Sequence, residues 1–292
     1  MNAKEVVECA KSWGIEIFWG SPWGWDTSMP TKEDSLAASD EVIAKLVQKY
    51  TDEYAATGAA GLYFQSFTET KNEKIGGKYI AEAVTDFVNA VAEKMYEKYP
   101  SIELQFGLHA SSVKNRLNAL KKVNPSIRIV WEDCGAMPYS YDPGEVEAFE
   151  DTLDFSKKIA TLRGEKDKFG AVFKGMPTLD WAHFEHIRGE FMLGESSERF
   201  VKERDKYRRE LWKHYQADWI INAGYALETV KRLAEGKEGS MSLQLLVEDG
   251  MFEESIYFPA ALMAEILWSA GDKEEDIIKR VASCSFVKFA NV

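Results

Sequence analysis

Cysteine is scarce in this chain and basic charge is in deficit. The three cysteines, Cys9, Cys134 and Cys284, are odd in number and far apart. Neither a disulfide framework nor a CxxC or zinc spacing can be drawn through them, so free thiols in a reducing compartment are expected. Lysine and arginine total 36 against 48 acidic residues, a formal net charge of −12. Nucleic acids and anionic membranes need a basic footprint, and this composition lacks one. No apolar run approaches the ~20 residues of a membrane-spanning helix. The opening residues, MNAKEVVECAKSWG, form a charged amphipathic stretch and not an apolar leader, which makes the cytoplasm the expected location unless a longer N-terminus changes it. Histidine is also rare, and His109, His183 and His186 show no zinc spacing. No Gly-rich phosphate loop follows the first strand-like segment, which disfavours a dinucleotide fold. No cofactor and no metal are therefore expected.

What is present suits a packed enzyme-sized domain. Hydrophobic residues make up 45% and charged residues 29% of 292 residues, enough for a sizeable core and too apolar for disorder. No linker interrupts the chain, so residues 1–292 read as one domain. Aromatics reach 13%, with nine tryptophans. Such rings either fill a core or stack on the apolar faces of sugars.

The recurring unit is an amphipathic helix, a Gly or Pro, and a short apolar strand. Helices are predicted over residues 2–13, 35–57, 77–99, 113–123, 144–162, 197–217, 256–270 and 273–281, with Gly14, Gly58 and Pro100 as stops. Strands are predicted over residues 15–20, 61–66, 102–108, 127–131, 169–174 and 242–247. They are apolar almost throughout, as strands buried on both faces should be. Alternation of this kind implies an α/β fold with a parallel sheet and crossover helices, a (β/α)8 TIM-type barrel. Six strands fall short of the eight a closed barrel needs. Either the barrel is incomplete at its N-terminus, as the C-terminal part of a longer protein or a chain completed by a partner, or strands hide elsewhere. Residues 219–224 (WIINAG) are the candidate for one.

In such barrels chemistry sits at the C-terminal ends of the strands. That rule selects Glu69 after the second strand, His109 after the third, Glu132 and Asp133 after the fourth, Lys174 and Asp180 after the fifth, and Glu248 after the last. Trp19, Trp23, Trp25, Trp131 and Trp181 are expected near the same mouth. Carboxylates converging beside aromatics suit glycoside hydrolysis. One carboxylic acid protonates the leaving oxygen, and another carboxylate acts on the opposite face of the ring. Only one of the adjacent Glu132 and Asp133 can point inward. Asp180 has a second reading as an N-cap, with a helix in the following WAHFEH.

The order of these segments resembles the catalytic barrel of the xylan α-glucuronidases. GLYFQSFTET stands where that family carries its general acid, which falls on Glu69. VFKGMPTLDW stands at the motif whose Asp helps activate water, with Lys174, Gly175, Pro177 and Asp180 matching. LQLLVEDGMF puts Glu248 at the second base. The resemblance implies an inverting glycoside hydrolase with Glu69, Asp180 and Glu248 as the catalytic set. Two cationic positions of the family depart: its Lys is Gln65 here, and its Trp-Arg is met by Trp131-Glu132. An anion at Glu132 repels a uronate, so a neutral or amino sugar fits better than glucuronate. The Glu132–Asp133 pair leaves a hexosaminidase-type variant open.

The expected partner is a carbohydrate, bound through Trp19, Trp23, Trp25, Gln65, His109, Trp131, Glu132, Asp133, Lys174 and Trp181. Two other functions compete with hydrolysis. Lys174 at a strand end is placed as a Schiff-base lysine of an aldolase or lyase would be. A sugar-binding or inactive barrel fragment is the other.

Overall fold

The computed structural model describes residues 3–22, 39–65, 68, 70, 72–109, 112–132, 149–173, 184–186, 194–196, 213, 216–217, 219–245, 257–285 and 287. Glycines end the first helices as expected. Helix α1 (Ala3–Ser12) stops before Gly14 at φ 72°. Helix α2 (Ser39–Lys49) widens into a π-helical turn over Tyr50–Tyr54, tightens to 3₁₀ over Ala55–Thr57 and stops at Gly58, φ 75°. This left-handed conformation carries little penalty without a Cβ.

Among the described residues the main sheet has six parallel strands in the order β1 (Phe18–Pro22), β2 (Gly61–Gln65), β5 (Glu103–Leu108), β6 (Arg128–Trp131), β7 (Phe169–Phe173) and β10 (Met241–Leu245). Short antiparallel hairpins join β3 (Lys74–Ile75) to β4 (Lys78–Tyr79) and β8 (Phe184–His186) to β9 (Gly194–Ser196). The crossovers include α3 (Ile80–Lys98), α4 (Leu117–Leu120), α5 (Phe149–Ala160) and α6 (Ala223–Ala234). Helices α7 (Tyr257–Trp268) and α8 (Glu274–Ala282) follow β10. Helix α3 shows how these helices dock. Ile80, Val84, Phe87, Val91 and Met95 recur at three- and four-residue steps, and all are buried. Each such side chain contributes roughly 1.5–3 kcal/mol on leaving water.

The fold is an open, curled, six-stranded parallel half-barrel alternating with helices, consistent with an incomplete (β/α)8 barrel. Two hydrogen bonds demonstrate the curl. Gln244 Nε2 donates to Gln105 Oε1 at 3.3 Å, although β6 and β7 lie between their strands. Arg128 Nη2 donates to Ser240 Oγ at 3.1 Å across β7. A flat sheet would hold such side chains much farther apart, since neighbouring strands are ~4.8 Å apart. No described helix is long and apolar enough to cross a membrane.

Three expectations need correcting. The strands are not apolar on both faces. Leu62, Phe64, Leu104, Phe106, Leu108, Ile129, Trp131, Phe169, Ala171 and Phe173 form the helix-facing core. The alternate positions Tyr63, Gln105, Gly107, Arg128 and Gln244 face inward, because successive side chains in a strand point to opposite sides. Residues 219–221 are helical and Ala223–Ala234 continues as α6, so WIINAG supplies no strand. Trp219 and Ala223 are buried at a four-residue step, a helical spacing. Phe184–His186 is a strand and not part of a helix after Asp180.

Candidate functional site

Parallel strands bring all their C-terminal ends to one edge of the sheet. Along this edge, side chains from β2, β5 and β6 meet on the inner face. Tyr63, in β2, donates its phenolic hydrogen to Glu132 Oε1. The second oxygen of Glu132, Oε2, lies 3.2 Å from Nε2 of His109. Glu132 follows β6 directly and extends its ladder, its backbone N–H bonding to Leu108 O at 3.0 Å. His109 follows β5 in the same way. Its backbone N–H donates to Thr68 Oγ1 at 2.9 Å, and Ser112 Oγ donates to Thr68 O at 2.7 Å. The segment after β2 is thereby tied to the segment after β5.

Strand β5 runs between β2 and β6, so Tyr63 and Glu132 must meet across it. They cross above Gly107. A Cβ on Gly107 would fall on Glu132 Oε1 and the Tyr63 hydroxyl, and would stand 2.9 Å from Tyr63 Cζ. A glycine inside a strand commonly marks such an approach. Burial, then the charge of Glu132 and the hydrogen bond to it, push the Tyr63 phenol well above its ordinary value. It therefore stays protonated and acts as a donor. The Glu132 side chain remains 13% exposed and that of His109 only 5%. The arrangement is a carboxylate that accepts a hydrogen bond from Tyr63 at one oxygen and stands beside His109 at the other, with spare lone pairs for a ligand.

The sequence candidates divide clearly. His109 and Glu132 come together at the strand ends, and Glu132 is the member of its acidic pair seen facing inward. Trp131 does not join them. Its indole is fully buried on the helix side, donates to Ser156 Oγ at 2.9 Å and packs against Phe155. With Glu132 turned inward, strand alternation sends Trp131 outward. Trp19 also lies on the helix side of its strand, stacked on Tyr54 and donating to Thr57 Oγ1 at 3.1 Å. Glu69, Asp133, Lys174, Asp180, Trp181, Glu248, Trp23, Trp25 and the side chain of Gln65 lie outside the described residues. So do residues 144–148 and most of 197–217. Tyr63, Gly107, Thr68 and Ser112 were missed. Gly107 carried a readable signal, since a glycine inside a strand commonly marks a close approach.

Among the described residues no cluster of His, Cys, Asp and Glu has the make-up of a metal site. No protein-family model matches the sequence, and no curated protein matches it. Among solved structures the chain is similar to the GH18 chitinase ChiB from the chitin utilization locus of Flavobacterium johnsoniae. The identity is 12% and the TM-score 0.45, over 97% of this chain and 83% of that one. That protein is a chitinase and not an α-glucuronidase.

Proposed function

We propose that the protein is a glycoside hydrolase that cleaves O-glycosidic bonds by carboxylate acid/base catalysis. The observation that carries this reading is Glu132. It is an inward-facing carboxylate at the C-terminal edge, hydrogen-bonded by Tyr63 and beside His109, where barrel enzymes place their chemistry. A mouth with fixed acceptors and amide groups behind it, such as Gln105 and Gln244, suits a ligand rich in hydroxyls.

The catalytic set in this proposal is Glu69, Asp180 and Glu248. In the sequence they follow β2, β7 and β10, strands that end on the same edge as β6. Glu69 protonates the leaving oxygen, and Asp180 with Glu248 activates water. That division is an inverting mechanism, which holds its carboxyl groups about 6.5–9.5 Å apart to admit the water.

Hydrolysis of aryl glycosides by the full chain tests the proposal. Glu69→Gln is expected to cut turnover by at least about a hundredfold, since general acid catalysis typically contributes 10²–10⁴. Unchanged turnover in that variant sinks the assignment. The anomer first released, followed by NMR, tests inversion. Borohydride trapping of a keto acid on Lys174 would instead support lyase chemistry.

A further inference from the structure

Glu132 is more than a charge near the mouth. One oxygen accepts from Tyr63 in the middle of β2, and the other lies 3.2 Å from His109 Nε2 after β5. Both contacts converge over Gly107, where any larger residue would displace the phenol or the carboxylate. His109 is itself held by Thr68, and Thr68 by Ser112. The carboxylate therefore has its position set before any ligand arrives. It keeps acceptor lone pairs and a strip of exposed surface, but it has no way to turn aside from an incoming anion.

We infer that Glu132 is a substrate-contacting, specificity-determining residue, with Tyr63 and Gly107 as its positioning residues, and that the site takes neutral or amino sugars and rejects uronates. This rests on the glycosidase reading of the mouth. A fixed anion accepts hydrogen bonds from sugar hydroxyls or an ammonium group. Against a sugar carboxylate it offers only repulsion, which is strong where water is thinned out. Tyr63 contributes by keeping the carboxylate aimed, and Gly107 by leaving room for the two to meet.

The test uses the full chain and a panel of p-nitrophenyl glycosides in both anomers: neutral hexosides, 2-amino hexosides and uronides. Wild-type protein is expected to favour a neutral or amino substrate over the matching uronide by at least about tenfold in kcat/KM. Glu132→Gln, which keeps the shape and removes the charge, is expected to shrink that ratio about tenfold. Tyr63→Phe is expected to lower kcat/KM for the preferred sugar about tenfold, mostly through KM. Gly107→Ala should act in the same direction and more severely. If it fails to fold, Tyr63→Phe carries the positioning claim alone. A wild type that prefers uronides overturns the inference. So does a Glu132→Gln ratio equal to wild type, which marks the cluster as a purely structural contact. If no glycoside is cleaved, the hydrolase reading fails separately, and calorimetric binding of the methyl glycosides gives the same ratio. Charge discrimination lost in Glu132→Gln would then sustain the inference, and absence of any sugar binding would overturn it.

Discussion

The two ends of the half-barrel use similar ingredients to opposite effect. At the N-terminal end, Arg128 opens β6 and points inward among the first residues of its neighbours. Nε donates to Glu103 Oε1 at 2.9 Å, Nη1 to Phe169 O at 3.0 Å and to Ser240 O at 3.3 Å, and Nη2 to Ser240 Oγ at 3.1 Å. Every nitrogen of the guanidinium is used within the protein. Burial alone would raise the Glu103 carboxyl, but the hydrogen bond and charge of Arg128 outweigh it and hold it below its ordinary value. At the C-terminal end the fixed charge is an anion. Its partners leave it acceptor capacity and some exposure. A saturated cation closes one end as a structural plug, while the carboxylate at the other end keeps unused acceptor capacity.

Removing the plug should produce the largest effect. Arg128→Ala leaves the half-buried Glu103 without its cation and removes four hydrogen bonds of a charged donor, and a loss of about 3–5 kcal/mol is expected in urea denaturation. The comparison breaks if this variant is as stable as wild type, or if it changes sugar selectivity without changing stability.

Gly107→Ala should cost less stability, about 1–3 kcal/mol from overpacking, yet damage the site more. Denaturation midpoint and aryl-glycoside turnover should be read on the same sample. An intact site in a destabilised protein would contradict the geometry over β5.

Trp131→Phe isolates the helix side of the same strand. It removes the indole donor to Ser156, and about 1 kcal/mol is expected for a lost buried hydrogen bond, with little change in kcat/KM. A large catalytic defect would move Trp131 back to the mouth.

The smallest effects are in the pH dependence, and the two ends should respond on opposite sides. Glu103 has a lowered folded value, so its contribution is present above the ordinary 4.5 and is lost as pH falls through the folded value. Tyr63 has a raised folded value. Its contribution is complete below the ordinary 10.0 and is lost as pH rises from there toward the folded value. Urea midpoints measured across pH should therefore fall at both extremes. Glu103→Gln should flatten the acid arm and Tyr63→Phe the alkaline arm. An alkaline arm that survives in Tyr63→Phe would assign it to another group.

Much of the architecture was readable from local pattern. Helix stripes such as that of α3 and stops at Gly14, Gly58 and Pro100 depend on neighbours a few residues away. Six strands were expected, and six pair in the main sheet. The rule that chemistry follows strand ends also brought His109 and Glu132 forward before any geometry was known. Local pattern failed where two periods overlap, as in WIINAG, whose β-branched run hid a helical step from Trp219 to Ala223.

The alternation of helices and parallel strands follows from residue order alone, because hydrophobic spacing and chain punctuation act within a few residues. Which side of each strand faces inward depends on how the strands pair in space. That pairing put Tyr63 and Gln105 inside and sent Trp19 and Trp131 to the helices. It alone joined Tyr63 to Glu132, residues far apart in the chain, over the one position in β5 without a side chain. The physical reason is that strand alternation is the same whichever face is inward. The choice is made by the pairing of β2, β5 and β6 and by the curl that brings their inner faces together.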